Sequence, residues 1–149
     1  MKQSRDIFIV VGLPGSGKSH YARNVLGNGS IKVFDDPAKD EKSFEEMLDY
    51  VKNNLITIIT DTYCLDEKTR INCRNTLVDL FNIETSCYLH WLFFDNNPEQ
   101  CIKNIKTRND DRIISPEFIL EESKRYTIPP GHTQLAVFNC EFTYSQVKS

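Results

Sequence analysis

The chain has 149 residues, of which 40% are hydrophobic and 26% charged, and its formal net charge is −3. That length makes about one domain with one sizeable core, and the acidic balance excludes a protein that coats duplex nucleic acid through a broad basic surface. No run of 18 apolar residues occurs, and Met1-Lys2-Gln3-Ser4-Arg5-Asp6 lacks the regions of a signal peptide, so the expectation is a cytoplasmic protein with no membrane partner.

In chain order, Ile7-Phe8-Ile9-Val10-Val11 is a short β-branched apolar run that predicts a buried first strand. Gly12-Leu13-Pro14-Gly15-Ser16-Gly17-Lys18-Ser19 follows and completes the pattern G-x-x-x-x-G-K-[ST]. Tyr21–Leu26 then predicts a helix that ends at Gly27. Strand, glycine loop and helix in this order make a phosphate-binding loop. Glycines let the backbone approach a phosphate closely, and the amides of Ser16, Gly17, Lys18 and Ser19 can turn inward toward its oxygens at the positive end of the helix. Lys18 should reach the β- and γ-phosphates, and the Ser19 hydroxyl should bind Mg²⁺. Gly12 through Ser19, with His20 directly after, are the candidate nucleotide-binding residues.

A second strand is predicted at Ile31–Phe34, ending in Asp35-Asp36-Pro37. The next helix is expected to use Ser43 and Glu46 as a capping box, with Phe44, Met47, Leu48 and Val51 on its inner face. Leu55–Thr60 is the third strand and ends at Asp61; Asp66 is then expected to cap a helix through about Phe81, with Ile71, Val78 and Phe81 inward. Cys87–Phe94 is the fourth strand, ending at Asp95. Asn97 caps and Pro98 opens a helix with Cys101, Ile102 and Ile105 on its apolar face. The polar segment Lys106–Arg112 interrupts, Ser115 and Pro116 start a helix to about Tyr126, Pro129-Pro130-Gly131 breaks the chain, and Gln134–Phe138 predicts a last strand. Strands alternating with helices mean an α/β domain of three layers, a mainly parallel five-stranded sheet with helices on both faces.

The site of such a sheet lies at the carboxyl ends of its strands. Asp35, Asp61 and Asp95 therefore converge near the phosphate loop. Asp35 or Asp36 is placed to take a proton from an attacking hydroxyl. Asp61 follows an apolar run as a Walker-B aspartate does, and would bind Mg²⁺ or hold the acceptor; Asp95 reads as a turn residue before Asn97-Pro98. In the charged segment, Arg108 and Arg112 could swing over the phosphates and neutralise charge in the transition state, which would make the segment a short arginine-bearing lid. The cysteines, at 64, 73, 87, 101 and 140, form no C-x-x-C pair and read as small apolar residues in a reducing compartment; His20, His90 and His132 show no metal spacing.

Taken together, the phosphate loop, Asp35-Asp36, Asp61-Thr62 with Leu65, Asp95-x-x-Pro98-Glu99, Arg108-Asn109-x-x-Arg112, Ile114-Ser115-Pro116-Glu117, Tyr126 and Pro129 resemble the P-loop kinases that include phage polynucleotide 5′-hydroxyl kinases and zeta-toxin-like kinases. The resemblance runs over nearly the whole chain. It implies a P-loop NTPase fold, ATP or GTP as phosphoryl donor with Mg²⁺, Asp35 as general base and Arg112 as lid cation. It also implies that Asp61 orients the acceptor or the metal shell. The chain departs from that pattern after the second strand. There the kinases carry an arginine that grips the acceptor's phosphate, whereas here Asp36-Pro37-Ala38-Lys39 offers only Lys39. The insertion between the second and third strands is also shorter. Asp35, Asp36, Lys39 and Asp61 are the candidate acceptor-binding residues.

The expected activity is transfer of the γ-phosphoryl group to a hydroxyl, a polynucleotide 5′-OH or another nucleic-acid-related hydroxyl. The alternatives are a small-molecule or nucleotide kinase of the same fold and a nucleotide-binding switch, which needs no hydroxyl-activating aspartate. An AAA-type ATPase ranks last, because no Walker-B Asp-Glu pair is evident.

Overall fold

The alternation of apolar runs and amphipathic segments builds a parallel sheet. The computed structural model describes residues 4–80, 87–108, 114–132 and 134–139. Its strands are β1 (Arg5–Val11), β2 (Val33–Asp35), β3 (Ile56–Asp61), β4 (Cys87–Phe94) and β5 (Gln134–Leu135). They form one sheet in the order β2-β3-β1-β4-β5, and every pairing is parallel. Register along the centre is continuous, with Ile9 of β1 between Ile59 of β3 and Trp91 of β4. The helices are α1 (Lys18–Tyr21), α2 (Glu41–Asn53), α3 (Glu67–Leu80), α4 (Pro98–Thr107) and α5 (Pro116–Arg125). The result is the expected three-layer α/β P-loop fold.

Burial follows strand parity. Ile7, Ile9 and Val11 point into one cluster with Ile59, Phe93, Met47 and Val51 of α2 and Leu77 of α3. Val10 and Ile58, of opposite parity, are also fully buried, so the centre of the sheet is covered on both faces. Each such side chain contributes about 1.5–3 kcal/mol on burial. Among the described residues no helix is long and apolar enough to cross a membrane.

Local chemistry sets the helix ends. Asn97 accepts from the Gln100 amide, Ser115 from Phe118 and Asp66 from Thr69, all as expected from sequence. The cap of α2 differs: Asp40 accepts from the Ser43 amide at 2.7 Å, so the helix starts three residues before the expected Ser43–Glu46 box. The helix after the phosphate loop begins at Lys18, and it passes from α1 into a π-helical turn, Ala22–Leu26, that Gly27 closes. On α3 the inner face carries Arg70, Cys73 and Leu77, while Ile71 is exposed. Phe81 and the Val78 side chain lie outside the described residues. The β5 ladder stops at Leu135, short of the expected Phe138, because the Phe138 amide instead donates to the Ser16 carbonyl at 3.0 Å. Cys64 and Cys101 are buried and Cys73 partly so, all three as free thiols.

Candidate active site

The phosphate loop runs from the end of β1 into α1 and is shaped by contacts that exclude side chains. Gly15 (φ +86°) and Gly17 (φ +99°) are left-handed. A Cβ on Gly15 would stand 2.6 Å from the Cys101 carbonyl oxygen, and one on Gly17 would stand 2.8 Å from the Phe138 Cβ. α4 and the chain after β5 therefore close on the loop from behind. Asn104, a polar residue on the apolar side of α4, locks them there by donating to the Gly15 carbonyl at 2.8 Å.

Ser16 is fully buried behind the loop, and among the described residues nothing bonds to its hydroxyl. It does not line the cavity, and its amide donates to the Leu13 carbonyl at 3.1 Å, so the amide expected to turn toward a phosphate serves the loop's own turn. Lys18 is 8% exposed and donates to the Leu13 carbonyl at 2.9 Å. Burial pushes its pKa down to about 8, against the nearby charge of Asp36. Its ammonium lines the cavity with little access to water.

Ser19 ends the loop, and its hydroxyl donates to Asp35 Oδ1 at 2.7 Å. Thr60, from β3 between them, donates to the same oxygen at 2.6 Å. Arg23, one helical turn beyond Ser19, pairs with the other oxygen. Burial acts to raise the Asp35 pKa, but the bonds from Thr60, Ser19 and Arg23 outweigh it and hold the carboxyl below its ordinary value. Ser19 and Asp35 supply hard oxygens at the mouth of the loop, the donor type that Mg²⁺ takes alongside substrate phosphates. No three His, Cys, Asp or Glu side chains gather among the described residues to hold an ion unaided.

Asp36 does a different job. Its backbone is left-handed (φ +44°), which turns its carboxylate toward β3. Oδ1 accepts from the Thr62 amide at 2.7 Å and from the Thr62 hydroxyl at 2.9 Å, and no described residue bonds to Oδ2. Asp61 is 5% exposed and lies beneath the cavity, where Oδ1 accepts from the amides of Tyr63 and Cys64 at 2.5 and 2.6 Å. Burial pushes its pKa up against those bonds. Lys39 is exposed on the 3-10 turn Pro37–Lys39 and does not line the cavity. Asp95 forms the turn into α4, its carbonyl accepting from the Asn97 amide at 3.0 Å. Arg112, with Asn109, lies outside the described residues.

Lys18, Ser19, Arg23, Asp35, Asp36 and Thr62 share one open cavity of about 680 Å³, which Asp61, Lys39 and Asp95 do not line. The sheet order divides its walls. On the β4–β5 side stand His20, Asn104, Thr107, Arg108 and Phe138; on the β2–β3 side stand Arg23, Asp35, Asp36, Thr62 and Tyr63, with Glu122 and Arg125 of α5 tied to them through the Arg125–Tyr63 and Arg125–Asp66 bonds; Phe118 lines the cavity from the first turn of α5. Sequence reading missed Arg23, Tyr63, Asn104, Phe118, Glu122, Arg125 and Phe138. Two of them carried a signal: Arg23 sits four residues after Ser19, on the same helical face, and Asn104 interrupts an apolar helix face.

No family model matches the chain. Two solved structures share its fold: a gluconokinase from Sinorhizobium meliloti 1021 (TM-score 0.59, 12% identity, 99% of this chain and 90% of that one) and a sugar kinase from Janibacter sp. HTCC2649 (TM-score 0.60, 14% identity, 90% and 84%). The uncharacterized protein R277 of Acanthamoeba polyphaga mimivirus is 30% identical over 133 residues, which cover 83% of this chain and 88% of R277. The chain belongs to the family of this mimivirus protein.

Proposed function

We propose that the protein is a P-loop phosphotransferase that moves the γ-phosphoryl group of a nucleoside triphosphate, ATP in the first instance, to an alcohol. The observation that carries this is the Ser19–Asp35 contact at the mouth of a phosphate cradle that opens, in the same cavity, onto a second carboxylate, Asp36. The names of both solved neighbours, gluconokinase and sugar kinase, agree with a kinase reading.

The roles divide by geometry. The amides of Gly17, Lys18 and Ser19 and the Lys18 ammonium bind the phosphates. Ser19 and Asp35 would hold Mg²⁺, which neutralises charge on the β- and γ-phosphates. Asp35 already receives three donors, so the proton of the attacking hydroxyl goes to Asp36 Oδ2. The sequence leaves the base open between Asp35 and Asp36, the resemblance implies Asp35, and this reading gives the role to Asp36. The acceptor oxygen bonds to the γ-phosphorus as the bond from that phosphorus to the bridging oxygen breaks, and the nucleoside diphosphate leaves. Buried Asp61 supports the loop after β3 and the charge of Lys18. Arg112 keeps the lid role that the resemblance implies, and Arg108, on the cavity wall, joins it on the donor side. The acceptor sits on the β2–β3 side; a nucleic-acid-related hydroxyl and a small metabolite are both accommodated by this arrangement.

The test is transfer of label from [γ-³²P]ATP to a mixed panel of alcohols with and without Mg²⁺. Label on an acceptor, lost with EDTA and in Lys18→Met, supports the reading. Label released only as free phosphate replaces it with the nucleotide switch.

A further inference from the structure

Resting on the donor and acceptor sides assigned above, the geometry points to a chemical class for the acceptor: we propose an uncharged alcohol that carries a flat ring, as a nucleoside does. Three observations carry it. The first is charge. Two arginines face the acceptor side, and the protein's own carboxylates hold both. Arg23 pairs with Asp35, and Arg125 pairs with Asp66 at 3.0 Å and with Glu122 at 2.8 Å, while also donating to the Tyr63 carbonyl. With each guanidinium charge already matched by a carboxylate of the protein, an anionic acceptor, whether a sugar acid or a phosphorylated strand end, finds no unbalanced cation on this side.

The second is the wall itself. Tyr63 and Phe118 line the cavity, yet they are 47% and 50% exposed. Large rings left open to water inside a concave site call for a partner with a π-face. An open-chain polyol presents no flat face to them. Nucleobases stack on such side chains regardless of their identity.

The third is spacing. Tyr63 directly follows Thr62, whose amide and hydroxyl both bond Asp36. The ring wall therefore begins one residue, about 3.8 Å of chain, from the group that holds the proton acceptor. A molecule whose hydroxyl lies within a few bonds of its ring fits that spacing.

The experiment has two arms, each on the full chain. In the first, [γ-³²P]ATP is offered with thymidine, uridine, adenosine or guanosine, with gluconate, or with a 5′-hydroxyl oligonucleotide. Nucleosides should be labelled. In the double variant Tyr63→Leu/Phe118→Leu their KM should rise at least tenfold, while the melting shift given by MgATP stays as in the native chain. In the second arm, 2-aminopurine riboside is titrated with MgADP saturating the donor side. Its fluorescence should be quenched by stacking, and the double variant should abolish the quench. Label on gluconate or the oligonucleotide but on no nucleoside overturns the inference and leaves the kinase reading intact. Label on no acceptor overturns the kinase reading instead, and the quench then decides alone: present and lost in the variant, it supports a ring-binding chamber; absent, or unchanged in the variant, it overturns one.

Discussion

Ser19 and Asp35 are 16 positions apart in sequence, yet the serine hydroxyl meets the aspartate Oδ1 at 2.7 Å, so the end of the phosphate loop and the end of β2 share one hydrogen bond. β3 lies between the two strands, and Thr60 fills the gap by donating to the same oxygen. The carboxylate beside the loop serine thus comes from β2, and Asp61 of β3, the expected Walker-B residue, serves the backbone of the following turn.

Separate roles for the adjacent aspartates have separable consequences. Asp35→Asn weakens the oxygen pair at the loop mouth, so the Mg²⁺ concentration for half-maximal transfer should rise about tenfold or more. Asp36→Asn keeps the shape but loses proton acceptance, so kcat should fall about 10²-fold or more with the Mg²⁺ requirement unchanged. Steady-state rates across a Mg²⁺ titration check both. An Asp36→Asn enzyme at native kcat would return the base role to Asp35.

Lys18 sets a pH dependence. Its pKa in the folded protein is about 8, below its ordinary 10.5. Between those values the unfolded chain binds the extra proton, so stability without nucleotide should rise with pH across that window. Nucleotide binding goes the other way, because phosphates need the charged form. The Kd for MgATP should be flat below about pH 8 and then weaken by up to tenfold per unit. Calorimetric titrations from pH 6.5 to 9.5 test this, and Lys18→Met should remove the dependence along with transfer. The same variant should melt no lower than the native chain, since it removes a desolvated charge.

Sequence legibility followed how local each signal was. The phosphate loop and β1 are one continuous motif. Asn97-Pro98 and Ser115-Pro116 pair a capping side chain with a proline that suits the first helical turn, so both helix starts were legible. Asp40 was missed because Ser43 and Glu46 offer a second cap pattern one turn later. Apolar periodicity puts Ile71 inward because it counts apolar residues; the residue that turns inward is Arg70, whose partners are the Cys64 and Leu65 carbonyls of the preceding turn and the distant Thr127 hydroxyl. The acceptor side was illegible for the same reason. Arg23, Tyr63 and Phe118 stand on three different elements, and only the fold brings them to one cavity.

Gly17 is needed for space and for conformation. At φ +99° a side chain is strained, and its Cβ would stand 2.8 Å from that of Phe138. Gly17→Ala should therefore lower stability by about 1–3 kcal/mol, read as a drop in melting temperature. It should also weaken MgATP, because relief of the contact moves Phe138 off the loop. Gly17→Ala combined with Phe138→Ala should recover part of the stability loss, and no recovery would mean that backbone strain alone is responsible.

Arg70 couples the two halves of the acceptor wall. Its guanidinium is 7% exposed and donates to the carbonyls of Cys64 and Leu65 at 3.2 and 2.7 Å and to the Thr127 hydroxyl at 3.0 Å, while stacking 5.2 Å from the centre of the Phe93 ring. The Thr127 amide closes the same joint by donating to the Leu65 carbonyl at 2.8 Å. The turn that presents Tyr63 is thereby fixed to the end of α5, the helix that presents Phe118. Arg70→Met keeps the length of the side chain but removes the donor to the Cys64 carbonyl and the Thr127 hydroxyl and leaves the Leu65 carbonyl with the Thr127 amide alone, a loss of about 1–3 kcal/mol. Arg70→Lys should recover little, since one ammonium cannot span carbonyls of consecutive residues and a hydroxyl as the planar fork does. Below the melting transition the phosphate loop is untouched by this change, so the Kd for MgATP should stay native while the KM for the acceptor rises. Equal loss at both sites would show that Arg70 only stabilises the fold, and native values at both would show that the wall is held without it.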